Sequence, residues 1–476
     1  MTKENQLLKA LDILDKVQKK YDIPFDKDNK YYTITQHGIE YFSENKIHLS
    51  KEDRKNTEEY ILSLHIPNLQ TNIDNFFGDD IFDEHHTIKD LSDNNLMSYL
   101  MGIFKTITFT QNKNLVSAKY GIAIWNTGFH DLAKQCRGKI VDTNTRTIVS
   151  YPFDKFFNIN EVPETNENIV KDRIEHSSYI YATEKKDGST IIVSNYKNKP
   201  LITTNGSFDN DQTKLAKEIF NEKYPKFLPN VDNGYTFIFE LIHPDNKIVI
   251  DYGDEKALYL LAVRDLNTEK LLSLDETHDF ANKYGFPYPK VYDFENLDVM
   301  VNLAHTLKNA NQEGWVLRIG NKDGEFMAKL KLDEYFEMHK TFGKVSTKWV
   351  YRHIVNNDLD DFLALCDEDR KKDVFAEIDK INAVKEMVRE KVINEAKYYL
   401  GKYGVKNFAE IEQDKQKMIQ MIQEILNSRT PTCAMCVSYL RDSSKIDTSL
   451  ERLTIKAFRG FLQEYEQKEN NKDIEK

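Results

Sequence analysis

The strand signals in this chain stop near residue 345, and that boundary limits how it can fold. Between about residues 96 and 340, short runs rich in β-branched and aromatic residues recur. They are KTITFT, GKIVD, TIVSYPF, STIIVSNY, TFIFELI, KIVIDY, LYLLAV and GWVLRI. Polar and turn residues separate them, and helical stretches such as DQTKLAKEIFNE intervene. From about residue 345 the period changes. Phe375, Ile378, Ile381, Val384, Val388 and Val392 recur at helical spacing, as do Leu450, Leu453, Phe458, Phe461 and Leu462, read as one last helix. The pattern specifies an α+β domain with largely antiparallel pairing, followed by an all-helical domain. The tail QKENNKDIEK has no apolar anchors and is expected to fray.

Residues 1–95 read as a small separate extension of unknown role. Leu7, Leu8, Leu11, Leu14 and Val17 keep helical spacing. Ser50 with Asp53 resembles a capping box opening a helix toward Ile61 and Leu64. YYTITQHGIEYF reads as a short strand or hairpin. The expected division is 1–95, a domain at 96–343, and helices at 344–476.

With 476 residues and a net charge of −11, the chain is not a basic coat for nucleic acid, so any such contact is confined to a groove. No apolar run approaches the roughly 18 residues of a membrane span. The start is amphipathic rather than a signal segment, so a cytoplasmic protein of a bacterial or phage-infected cell is expected. Of Cys136, Cys366, Cys433 and Cys436, the last two form a lone C-x-x-C, read as reduced thiols on a helix. Oligomeric state stays open.

Chemistry concentrates around Glu184-Lys185-Lys186-Asp187-Gly188-Ser189, between two β-type runs. A lysine becomes a nucleophile when burial or nearby positive charge removes its proton. Lys186 adds charge in sequence, although alternation can turn it to the other face. Asp187 shares a face with Lys185 if the segment is extended, where it can orient the lysine or bind hydrated magnesium. Gly188 lets the backbone turn closely around a nucleotide. Alone, K-x-D-G also occurs in ordinary surface turns. The domain adds Phe237-Ile238-Phe239-Glu240, Glu313-Gly314-Trp315-Val316 and Lys329-Leu330-Lys331, whose two lysines share one strand face. Their joint order is what carries weight.

The order K-x-D-G, F-x-F-E, E-G-W-V, K-x-K resembles the covalent lysine nucleotidyltransferases, which include DNA ligases, RNA ligases and mRNA capping enzymes. Gln135-Cys136-Arg137-Gly138, Lys155-Phe156-Phe157-Asn158-Ile159-Asn160-Glu161 and Leu260-Leu261-Ala262-Val263-Arg264-Asp265 narrow the likeness to the phage-type RNA ligase 1 family. The resemblance spans about residues 100 to 365. It implies an antiparallel-sheet nucleotidyltransferase (ATP-grasp-like ligase) domain with a helical C-terminal domain that selects RNA. It also implies ATP and Mg2+, with Mn2+ as an alternative, and RNA with 5′-phosphate and 3′-hydroxyl ends, foremost a cleaved tRNA.

By the same resemblance, Lys185 takes AMP from ATP, and Arg137 and Lys155 hold the triphosphate or the RNA phosphate. Glu240 meets the ribose or a metal-bound water, and Glu313 lies near the metal. Lys329 and Lys331 neutralise the α-phosphate, Tyr335 matches a tyrosine the family uses, and Asp360 matches a magnesium-binding aspartate. One departure stands out: the family tends to carry a basic residue before a Gly-Ser pair, and here Asn205 precedes Gly206-Ser207. A DNA ligase or capping enzyme would continue past K-x-K into an OB barrel, whereas this chain continues into helices. A non-catalytic RNA-end-binding protein would have lost the lysine or the acids, and all are present.

Overall fold

Helical periodicity prevails over β-propensity at the N-terminus. In the computed structural model, residues 5–77, 87–121, 123–308, 311–321, 324–335, 345–356, 359, 363, 368–443, 445–451 and 453–474 are described. Helix α1 (Gln6–Tyr21) buries Leu7, Leu11, Leu14 and Val17 along one face, with Asn5 capping it. The segment expected as a strand or hairpin is helix α2 (Lys30–Glu44). Its buried Tyr31, Ile34, Thr35, Gly38 and Phe42 recur at three- and four-residue steps, so one helical stripe is covered. A methyl built on Gly38 would lie 2.4 Å from Met101 Cε, which shows how closely α2 meets α5 (Asp93–Lys105). Between them run α3 (Lys51–Ser63), capped by Ser50 accepting from Asp53 N, and α4 (Leu69–Phe77).

Three sheets follow. The first has order β1-β2-β3-β4, from Ile107–Asn112, Leu115–Tyr120, Arg137–Asp142 and Thr147–Ser150. Short helices α6 (Ile124–Thr127) and α7 (Asp131–Gln135) link β2 to β3. The second sheet has order β10-β9-β7-β8, with β7 Ser189–Tyr196, β8 Lys199–Thr203, β9 Tyr235–Ile242 and β10 Ala257–Asp265. The third has order β11-β6-β12-β13-β5, with β5 Phe157–Asn158, β6 Tyr179–Lys185, β11 Val291–Tyr292, β12 Gly314–Asn321 and β13 Gly324–Lys331. All pairs are antiparallel except β13 with β5.

One face of the second sheet, with Ile191, Val193, Phe237, Phe239 and Leu241, packs on Ala216, Ile219 and Phe220 of α8 (Asp211–Lys223) and on Ala281 of α9 (Leu274–Tyr284). One face of the third, with Ala182, Trp315, Leu317 and Ile319, packs on Leu297, Met300 and Ala304 of α10 (Leu297–Thr306). Strand alternation therefore leaves Lys185, Lys329 and Lys331 on the third sheet's other face, and Glu240 on the second sheet's other face. KIVIDY, expected as a strand, is not one. The N–H groups of Val249 and Ile250 go to the Asp187 carboxylate instead of a ladder.

The chain divides into two compact units, residues 1–24 with 30–342 and residues 25–29 with 343–476. The N-terminal helices thus share a unit with the sheets, and the division drawn at residue 95 falls inside it. In the second unit the described elements are helical. Helix Glu368–Lys402 buries Val374, Ile378, Ile381, Val384, Val388 and Val392. The expected single last helix is two, Lys445–Glu451 and Ile455–Ile474, with Leu453 in the break, and the second runs into the tail expected to fray as far as Ile474. Cys433 and Cys436 lie on helix Cys433–Arg441. Among the described residues, no helix is long and apolar enough to cross a membrane.

Candidate active site

Lys185 is the last residue of β6 and pairs with Gly314, which pairs in turn with Lys331. That register brings the two lysines to either side of one glycine. Gly314 has φ +149°, and a methyl there would lie 2.1 Å from Leu330 O, so only glycine permits this approach. The preceding Glu313 spans the lysines. Its Oε2 is 2.6 Å from Lys185 Nζ and its Oε1 is 3.0 Å from Lys331 Nζ. The Glu313 and Lys331 side chains are buried, while Lys185 keeps 18% exposure, enough to be reached.

Lys186 points away, as alternation allows. It pairs with Glu184 at 2.7 Å and lies 4.4 Å from the Tyr259 ring centroid. Asp187 turns inward. Its Oδ2 accepts from Val249 N at 2.8 Å and Ile250 N at 2.6 Å, and its Oδ1 accepts from Tyr335 Oη at 2.9 Å. Its own N–H donates to Tyr252 Oη at 3.1 Å. Burial pushes the Asp187 carboxyl up, with the nearby Glu313 adding to it, while the two backbone donors oppose this. Asp187 thus anchors the nucleophile's loop. Gly188 donates its N–H to Glu240 Oε1 at 2.9 Å. A methyl on Gly188 would lie 2.3 Å from Leu241 O, so the close approach this glycine permits is to β9. Burial pushes the Glu240 carboxyl up to about 8; the charge of Lys185 opposes that and the charge of Glu313 adds to it.

The remaining cations surround an aromatic floor. Lys329 Nζ is 5.1 Å and Arg137 Cζ 5.8 Å from the Phe156 ring centroid. Lys155, 5% exposed, lies 5.3 Å from the ring centroids of Phe129 and Phe157 and 5.9 Å from that of Tyr120. Arg264, from the Leu-Leu-Ala-Val-Arg-Asp run, braces the segment leading to Lys155. It donates to Pro152 O at 3.0 Å, Glu269 O at 2.6 Å and Asp154 Oδ2 at 3.2 Å. Gly138, φ +92°, lets Asn205 pass, since a methyl there would lie 2.9 Å from Asn205 Cα.

The structure therefore gathers Lys185, Glu313 and Lys331 in direct contact, with Asp187, Gly188, Glu240 and Tyr335 linked behind them. Arg137, Lys155 and Lys329 lie around Phe156 and its neighbours. Asp360 lies outside the described residues. Sequence reasoning missed Tyr252 and the Val249–Ile250 amides. The amides carry no side-chain signature, and KIVIDY mimics a strand.

The site is a lysine–carboxylate–lysine array on paired antiparallel strands, linked through Gly188 and Glu240 to a second sheet. Residues 135–336 match the model of an RNA ligase family. A putative bifunctional polynucleotide kinase/RNA ligase of Autographa californica nuclear polyhedrosis virus is 30% identical over 260 residues, covering 50% of this chain and 35% of that protein. A putative RNA ligase of Thermovibrio ammonificans is 29% identical over 264 residues, covering 53% and 66%. A solved mutant of the Naegleria gruberi RNA ligase with ATP and Mn aligns with 40% of this chain and 60% of its own, at 16% identity and TM-score 0.33. The chain spans between about one third and two thirds of the length of these curated relatives.

Proposed function

We propose that this protein is an ATP-dependent RNA ligase that joins 5′-phosphate and 3′-hydroxyl RNA ends through lysyl-AMP and RNA-adenylate. The observation that carries the reading is Glu313 bridging Lys185 and Lys331 at 2.6 and 3.0 Å. Lys185 Nζ attacks the α-phosphate of ATP, forming the N–P bond as the bond to pyrophosphate breaks. Glu313 Oε2 is placed to receive the lysine's proton. Lys331 and Lys329 offset the charge that builds on the phosphate. AMP then passes to an RNA 5′-phosphate, and a 3′-hydroxyl displaces it.

Among the described residues, no group of three or more His, Cys, Asp or Glu forms a metal cage. Mg2+ or Mn2+ would be carried on ATP, where phosphates and waters supply most ligands and one or two carboxylates the rest. Glu240 and Glu313 would be those carboxylates. The ion supplies charge neutralisation on the phosphates. The helical unit is proposed to select the RNA, a cleaved tRNA in the cytoplasm of a bacterial or phage-infected cell, as part of RNA repair.

The test is incubation with α-labelled ATP and Mg2+, then denaturation. Label is expected on wild type and absent from Lys185→Ala. Equal labelling of the two, or none on wild type, refutes the reading. Sealing of 5′-phosphorylated single-stranded RNA over the equivalent DNA is the second readout, and preference for DNA would overturn the acceptor.

A further inference from the structure

The N-terminal helices grip the segment between β2 and β3 on both sides of one aromatic residue. On one side, Asn72 of α4 donates from its amide nitrogen to Thr127 O at 2.8 Å and to Pro67 O at 2.6 Å. Asn72 is buried, so water cannot stand in for either bond. On the other side, Asp131 donates its N–H to Leu64 O at 2.8 Å, and its carboxylate lies 2.8 Å from His65 Nδ1. Gly128, φ +73°, lies against Pro67, and a methyl there would come within 3.2 Å of the proline ring. His130 is fully buried; its Nδ1 accepts from Ala133 N and its Nε2 meets Thr106 Oγ1 at 3.1 Å. The residue held between these grips is Phe129, itself buried.

Phe129 carries that grip to a cation. Its ring stands edge-on to Tyr120 and Phe157, at centroid distances of 5.0 and 5.3 Å, and Lys155 Nζ lies 5.3 Å from its centroid. The Lys155 N–H donates to Lys134 O, on α7 of the same segment, at 2.7 Å. Both ends of Lys155 therefore rest on residues 127–135. Phe157 belongs to β5, which pairs with β13 at Ala328 and Lys329, so the ammonium is held against the strand beside the one that carries Lys329 and Lys331. An ammonium resting on aromatic rings keeps its direction only while the rings keep theirs. On the ligase reading above, we infer that Asn72 is a positioning residue: through Thr127 and Phe129 it sets where Lys155 stands during lysyl-AMP formation. That gives the N-terminal helices a task in the reaction.

The experiment is a double-mutant cycle in single-turnover labelling with α-labelled ATP, run well below the Tm of every variant. It compares wild type, Asn72→Leu, Lys155→Ala and the two combined. Asn72→Leu keeps the branched shape and removes both donors. Labelling should slow about tenfold in the wild-type background. It should slow by less than about twofold once residue 155 is alanine, because no ammonium is left to position. His65→Ala, at the surface, removes only the outer grip and should cost about threefold with the same dependence on Lys155. It decides the matter if Asn72→Leu does not fold. Equal factors in both backgrounds would show a purely structural brace and overturn the inference. So would wild-type rates in both Asn72→Leu and His65→Ala, or in Lys155→Ala. In each of those outcomes a labelled wild type leaves the ligase reading standing. A wild type that takes no label removes both.

Discussion

Replacing Gly314 by alanine tests whether strand register, rather than the lysines alone, makes the site. The new Cβ would stand 2.1 Å from Leu330 O and 2.7 Å from Lys331 Cα. Both contacts are backbone, so no side chain can swing away. Reaching the 3.0 Å that real Cβ atoms respect requires β12 and β13 to part by about 0.9 Å (3.0 − 2.1). That displacement falls between Lys185 and Lys331, whose shared carboxylate depends on it. A misplacement near 1 Å costs roughly 10² in rate. Single-turnover labelling with α-labelled ATP should fall by about that factor in Gly314→Ala. Gly320→Ala is the control on the same strand. A methyl there meets the Tyr179 ring at 2.1 Å, a side chain that can move, six residues from the site. It should lower Tm and leave labelling near wild type. Labelling of Gly314→Ala within about threefold of wild type, or equal losses in both variants, would show that the spacing does not set the chemistry.

Glu313→Gln leaves Lys331 buried without its carboxylate, so stability should fall by roughly 3–5 kcal/mol in denaturant unfolding, with labelling lost. A fall under about 1 kcal/mol would mean that the pair contributes little. Tyr335→Phe removes one of the three protein donors to the Asp187 carboxylate among the described residues and should cost about 1.5–3 kcal/mol while slowing, not abolishing, labelling. Lys139 is fully buried against the Tyr151 ring, and burial pushes its ammonium down to about 8. Between that value and its ordinary 10.5 the unfolded chain holds the extra proton, so folding stability rises with pH across this window. From pH 7 to 9.5 wild type should gain roughly 2 kcal/mol relative to Lys139→Met in denaturant unfolding, and parallel curves would sink that account.

The fold was legible where a period ran long enough. The 35-residue helix Glu368–Lys402 and strands such as Tyr235–Ile242 follow from apolar spacing alone. Errors fell where local chemistry and period disagree. Thr33, Ile34 and Thr35 look like strand residues, yet the covered positions recur at helical steps. Val249 and Ile250 look like strand residues, yet their amides serve a carboxylate 62 and 63 positions away. At the site, side chains in motifs were readable and the reasons for them were not. The pairing of Gly314 with both lysines depends on register, which no single strand announces. The approach of Lys119 on β2 to Gly206 in the loop after β8 leaves no mark in either segment.

The anchoring of Asp187 has a consequence for biosynthesis. Among the described residues its protein donors come from residues 249, 250 and 335, and the last is 148 positions downstream. A ribosome must finish the entire last hairpin before the loop beside the nucleophile can lock. Contacts of such long sequence separation form late and slowly. Nascent chains that stop short of Tyr335 therefore carry every residue of the lysine motif yet lack one of the donors that hold its loop. Labelling in a truncation series should stay slow until Tyr335 is included, even after Lys331 has been added.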